Sequence, residues 1–112
     1  MKKKNRTGEI KFKVNLDQNN VPESIEWEAT DSNNKLNSAK AVMISIWDEK
    51  KKSSLKIDLW TKDMMVEEMK FFTVQIIDSL SDSYRRSTND EKVANEMKQF
   101  ARKIGKMSNV LK

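Results

Sequence analysis

The chain has no cysteine and no histidine. Without cysteine there is no disulfide framework, no thiolate metal site and no thiol nucleophile. Without histidine the commonest general base and the commonest metal ligand are missing, so zinc or iron would depend on carboxylates alone. One proline and two glycines leave no flexible linker and no glycine-rich phosphate loop. No apolar run approaches the ~20 residues that a membrane helix needs. The opening MKKKNR has the charge of a signal-peptide start, but Glu9 and Lys11 stand where its apolar segment would follow. The expectation is a cytoplasmic protein.

What is present suits one compact domain. The chain has 112 residues, 37% hydrophobic and 35% charged, enough for one continuous core. The net charge of +5 sits at the ends. Residues 1–60 carry 12 basic and 9 acidic groups, residues 61–87 carry 4 and 5, and residues 88–112 carry 6 and 3. Such an excess bears on solubility and nonspecific attraction more than on specific function. Residues 1–8 read as a mobile basic tail. Lys2, Lys3, Lys4 and Arg6 could meet phosphate or anionic lipid, or simply be a solvated terminus. Residues 9–112 read as a single α+β domain.

The first half has an apolar period of two. Ile10, Phe12, Val14 and Leu16 alternate with polar residues, which predicts a half-buried strand. Asp17-Gln18-Asn19-Asn20 is turn chemistry, and Pro22 keeps Val21 extended. Ile25, Trp27 and Ala29 predict a second strand, with Glu26 and Glu28 lying across from Lys11 and Lys13. After a polar loop over residues 30–38, residues 41–47 (AVMISIW) are apolar on both faces, which predicts a central strand. A charged turn, which includes Lys50, Lys51 and Lys52, leads to a fourth strand with Leu55, Ile57 and Leu59 directed to the core.

The second half is helical. Asp63 is a candidate helix start, and Glu67 and Glu68 suit the positive end of the helix dipole. Val66, Met69, Phe72, Ile76, Leu80 and Tyr84 recur at helical spacing as far as Arg85 and Arg86. Thr88 and Glu91 have the spacing of a capping box for a second helix. There Val93, Met97, Phe100, Ile104, Met107 and Leu111 form an apolar stripe. Gly105 costs this helix about 1 kcal/mol relative to alanine, which predicts fraying at its end. The expected fold is a four-stranded antiparallel sheet with two C-terminal antiparallel helices packed on one face.

Catalytic constellations are mostly absent; Ser-Lys chemistry stays open, but nothing in the sequence marks one lysine as buried. No histidine can activate the serines, and there is no G-x-S-x-G elbow. Asp58, Asp63, Glu67 and Glu68 could hold a divalent cation, but lack EF-hand spacing, and helix capping and dipole roles explain the last three better. No catalytic, metal or cofactor-binding residue is assigned, and no cofactor is expected. Basic termini with three tryptophans raise nucleic-acid or anionic-surface binding as an alternative. The aromatic motif of sheet-type RNA readers is missing, so nucleic acid is the weaker reading.

One sheet face stands out. If Ile57 and Leu59 face the helices, Trp60 faces the other way, and Met43 and Trp47 are placed with it. Such a face is either covered by the loop of residues 30–38 and by long Lys and Glu stems, or it is a contact surface for a partner or a second copy. Met43, Trp47 and Trp60 are therefore the candidate partner-binding residues. Met64, Met65 and Met69 fit core packing or an adaptable surface, with Met65 the most exposed of them.

The words VPESIEWEATD, AVMISIWDEKKKSS, LKIDLWTKDMMVEEMKFF and STNDEKVANEM, with SIWD, KIDLWTKDM and VEEM in the right order, resemble the gliding motility protein GldC family of the Bacteroidota over residues 8–104. Met65 stands where the resemblance implies proline. The family implies a small, soluble, non-enzymatic accessory factor of gliding motility, acting with the envelope-spanning machinery. It supplies no catalytic residues to carry over. The expected partner is a protein of that machinery or a second copy of the chain.

Overall fold

A computed structural model describes residues 6–30 and 36–112. The fold is α+β: five strands, β1 (Ile10–Leu16), β2 (Pro22–Ala29), β3 (Asn37–Ala39), β4 (Ala41–Asp48) and β5 (Ser53–Trp60), precede two helices, α1 (Val66–Thr88) and α2 (Glu91–Met107). The chain divides into two compact units, Met1–Met64 and Met65–Lys112. Lys2, Lys3 and Lys4 of the basic tail, and residues 31–35 of the polar loop, lie outside the described residues.

The strands do not form the expected single sheet. They make a three-stranded sheet, ordered β1-β2-β3, and a separate β4–β5 hairpin. The reason lies at Lys40. The three residues of β3 pair with β2, opposing Asn37 to Trp27 and Ala39 to Ile25. The chain then leaves that ladder at Lys40, and β4 pairs with β5 instead. Buried Thr61 holds the departure point, because its backbone N–H and its hydroxyl both donate to the Lys40 carbonyl, at 2.7 and 3.0 Å. β4 is therefore not a central strand: among the described residues its one strand neighbour is β5.

In the first sheet the alternation sorts the faces. Ile10–Ala29, Phe12–Trp27 and Val14–Ile25 oppose each other on the apolar side. Lys11–Glu28 and Lys13–Glu26 oppose on the polar side, as their spacing requires. Ile25 is almost fully buried, at 1% exposure. A register shift after Asn15 leads into the turn, where the Asp17 carboxylate accepts from the N–H groups of Asn19 (2.8 Å) and Val21 (3.0 Å). Asn20 takes the left-handed conformation that a short amide tolerates (φ 64°).

The other Asp17 oxygen meets the Lys62 ammonium at 2.5 Å, and the Lys62 N–H donates to the Pro22 carbonyl at 3.3 Å. Asp17 thus ties the β1–β2 turn to the end of β5. The Lys62 hydrogen bond and the Val21 and Asn19 N–H groups lower its carboxyl from the ordinary 3.8 to about 2, against the opposing effect of desolvation. A lowered carboxyl stabilises the fold above its unfolded-state value, and that stabilisation is lost as pH falls toward the folded-state value. Asp17→Asn is expected to lower the urea midpoint at neutral pH, by tryptophan fluorescence. The gap from the parent should close between about pH 4 and pH 2. A gap independent of pH would remove the ion pair as its cause.

The second unit is a helical hairpin. Its first cap differs from expectation: Asp63 lies in the turn after β5, and Met65 is the residue before the helix. The Glu68 carboxylate accepts from the Met65 N–H at 3.0 Å, satisfying one orphan donor. Glu67 and Glu68 occupy the first turn and Arg85 and Arg86 the last, matching the helix dipole. Asn89 ends α1 in the left-handed conformation. Thr88 is still helical, and Asp90 caps α2 by accepting from the Val93 N–H at 3.1 Å.

The two helices meet along small residues. Val74 and Ser81 of α1, and Ala94, Ala101 and Gly105 of α2, are the buried ones. Lys98 of α2 reaches across to Asp82 at 3.1 Å and Asp78 at 3.4 Å. The expected fraying at Gly105 does not occur, because the chain folds back over it. The N–H groups of Val110 and Leu111 both donate to the Gly105 carbonyl at 3.0 Å. The Leu111 side chain, with its Cδ1 and Cγ, fills the space where a Cβ would sit. Glycine is what lets this return pack. Of the large stripe, Val93, Phe100 and Met107 are exposed, while Met97, Ile104 and Leu111 are half-buried.

Candidate interaction face

The β4–β5 register runs unbroken from Ala41–Trp60 to Asp48–Ser53. Opposed residues of an antiparallel pair share a face. One face of the hairpin therefore carries Met43 opposite Asp58, Ser45 opposite Lys56, Trp47 opposite Ser54 and Trp60 opposite Ala41. The other carries Val42–Leu59, Ile44–Ile57 and Ile46–Leu55. The alternation that suggested grouping Met43, Trp47 and Trp60 does put all three on one side.

The three do not form one cluster. Trp60 lies diagonal to Met43, within about 7–8 Å along the ladder and within reach of an aromatic ring. Trp47 is four residues from Met43 on the same strand, about 13 Å away, beside the charged turn. Trp47 is 66% exposed and Trp60 55% exposed, while Met43 is half-buried. Between them Lys56 and Asp58 form an ion pair at 3.6 Å. The face thus offers two aromatic anchors separated by a polar middle. The apolar face behind it is also open at its far end, where Ile46, Leu55 and Ile57 are exposed. Leu55 and Ile57 do not enter a core as their alternation predicts.

The turn beyond Trp47 is fixed by Asp48. Its carboxylate accepts from the N–H groups of Lys50 (2.9 Å) and Lys51 (2.8 Å), and Lys52 adopts φ 50°. At the opposite end Trp60 borders a cleft of 260 Å³ with Asn20, Val21, Pro22, Asp58 and Leu59. Val21 and Pro22 were not legible as part of this surface. The signal that could have found them is an apolar pair directly after a turn of four polar residues. Their placement depends on the Asp17–Lys62 ion pair and the Lys62–Pro22 hydrogen bond, which hold the turn beside β5.

The carboxylates do not assemble. Asp58 is on the hairpin, Asp63 follows it, and Glu67 and Glu68 serve the first turn of α1. Among the described residues no three metal-ligating side chains converge. A separate apolar cleft of 320 Å³ lies within the helical hairpin, lined by Val66, Met69, Lys70, Thr73, Val74, Ile104 and Ser108. Met69 lines this cleft and Met65 is exposed. Lys70 is the one charged group there, and its ammonium is engaged by Glu67 at 3.2 Å. No helix among the described residues is long and apolar enough to cross a membrane.

Residues 22–110 match the family model described as "Gliding motility-associated protein GldC-like". The match spans β2 to the end of α2 and includes Met43, Trp47 and Trp60. No curated protein and no solved structure matches the chain.

Proposed function

Because the chain belongs to the gliding motility-associated GldC-like family, we propose that it is a non-enzymatic accessory protein of bacterial gliding, in the cytoplasm of a member of the Bacteroidota. In this reading it recognises a protein of the gliding machinery through the β4–β5 face that bears Met43, Trp47 and Trp60. The exposure of both tryptophans on one regular hairpin face carries the reading. Tryptophan in water is a poor use of a large apolar ring, and in a contact it buries much area for little lost side-chain freedom. The Lys56–Asp58 pair between the anchors supplies polar groups for orientation.

The test is affinity capture from the native host, comparing the parent with Trp47→Ala/Trp60→Ala. Loss of two anchors is expected to reduce recovery of a gliding-machinery component by about tenfold or more. Equal recovery with both forms would exclude this face. A nucleic-acid or anionic-surface role through the basic termini would instead leave recovery of the protein partner untouched and make binding strongly salt-dependent.

A further inference from the structure

No strand among the described residues pairs with the outer edge of β5, and only the turn at residues 20–22 stands near it, at the end with Asp58, Leu59 and Trp60. Among the described residues β5 pairs only with β4, and seven of its eight residues are exposed. A two-stranded hairpin is marginal in water by itself, and an unpaired strand edge is a template for another strand. Proteins usually blunt such an edge with a bulge, a proline or charged side chains, and on β5 the charges are Lys56 and Asp58, which a copy of the strand can neutralise. Here the β4–β5 ladder has no register shift and β5 contains no proline.

The sequence of that edge is self-complementary. Leu55-Lys56-Ile57-Asp58-Leu59 reads the same in both directions in its apolar positions and inverts in its charges. When a strand pairs antiparallel with its own copy about a two-fold axis, residues of the same face must oppose each other. With the axis at Ile57, Ile57 meets its twin and Leu55 meets the twin's Leu59. Lys56 then meets the twin's Asp58, and Asp58 the twin's Lys56. The two neighbouring allowed registers, centred on Lys56 and on Asp58, would oppose two lysines or two aspartates and are disfavoured.

We propose that a second copy of the chain occupies this edge, pairing β5 with β5 about Ile57 into a continuous four-stranded sheet, β4-β5-β5-β4. Charge complementarity selects both the occupant and the register. The two apolar hairpin faces, with Val42, Ile44, Ile46, Leu55, Ile57 and Leu59, become one surface. Met43, Trp47 and Trp60 stay on the opposite side, so this pairing does not depend on the partner reading above.

The experiment uses sedimentation equilibrium of the full chain, with circular dichroism to verify folding. The parent is expected to dimerise. Lys56→Asp and Asp58→Lys each place two like-charge pairs across the interface and are expected to weaken the dimer by about tenfold. A one-to-one mixture of these two variants restores both opposite-charge pairs and should associate at least as tightly as the parent. The swap Lys56→Asp/Asp58→Lys should also recover the dimer. A parent that stays monomeric at millimolar concentration overturns the proposal. So does a dimer that neither single variant weakens, or a mixture of folded variants that does not associate.

Discussion

Replacing Ile25 by alanine is expected to destabilise the sheet unit by about 2–5 kcal/mol, the usual cost of an apolar truncation that leaves a cavity. Ile25 is the bulky apolar side chain with 1% exposure. It sits on the middle strand of the three-stranded sheet, with Val14 opposite on one side and Ala39 on the other. Neither neighbour can grow into the space it vacates: Ala39 is small, and Val14 is held by its own ladder. Domains of this size have total stabilities of about 5–15 kcal/mol, so the change takes a large share. Trp27, Trp47 and Trp60 all lie in Met1–Met64, so tryptophan fluorescence during urea unfolding follows this unit. Phe12→Ala, at an exposed position of the same face, should cost much less. Equal costs at the two positions would show that Ile25 is not the centre of the sheet's packing.

The second large effect is expected at Ala101. It is 1% exposed in the seam between α1 and α2, where Ala94, Ser81 and Gly105 are also buried. Small residues allow the helix backbones to approach closely, and a leucine has no free space there. Ala101→Leu should cost about 1–3 kcal/mol by overpacking. The measurement is thermal unfolding by far-ultraviolet circular dichroism. Asn95→Leu, at an exposed position of the same helix, controls for helix propensity and should leave stability nearly unchanged. If both leucines behave alike, the seam is looser than its burial implies.

The sequence exposed some of this organisation and concealed the rest for identifiable reasons. The β1–β2 hairpin was legible because both strands alternate cleanly and because Lys11, Lys13, Glu26 and Glu28 are spaced to oppose. The grouping of Met43, Trp47 and Trp60 followed from parity alone. β3 was hidden because Asn37-Ser38-Ala39 has no apolar alternation, and its pairing with β2 is what stops β4 from joining that sheet. The helix seam was hidden for a different reason. Hydrophobic periodicity weights large residues: of its stripe Met97, Ile104 and Leu111 are half-buried and Val93, Phe100 and Met107 exposed, whereas the fully buried residues of this helix are Ala94, Ala101 and Gly105. Both caps were misplaced by two residues because a polar candidate stands just ahead of the true one: Asp63 before Met65, and Thr88 before Asp90. Lys62 could not be linked to Asp17 from sequence, since an ion pair between distant residues leaves no local pattern.

That ion pair also sets an order of events in time. The α1–α2 hairpin and the β4–β5 hairpin close through contacts between neighbouring segments, which form within microseconds. Asp17 and Lys62 stand near opposite ends of the described sheet unit's chain, and their meeting must await closure of nearly all of it. The clasp is therefore expected late in folding, securing Val21 and Pro22 beside Trp60 once the hairpin bearing that tryptophan has closed, so Asp17→Asn should speed unfolding and leave the folding rate nearly unchanged.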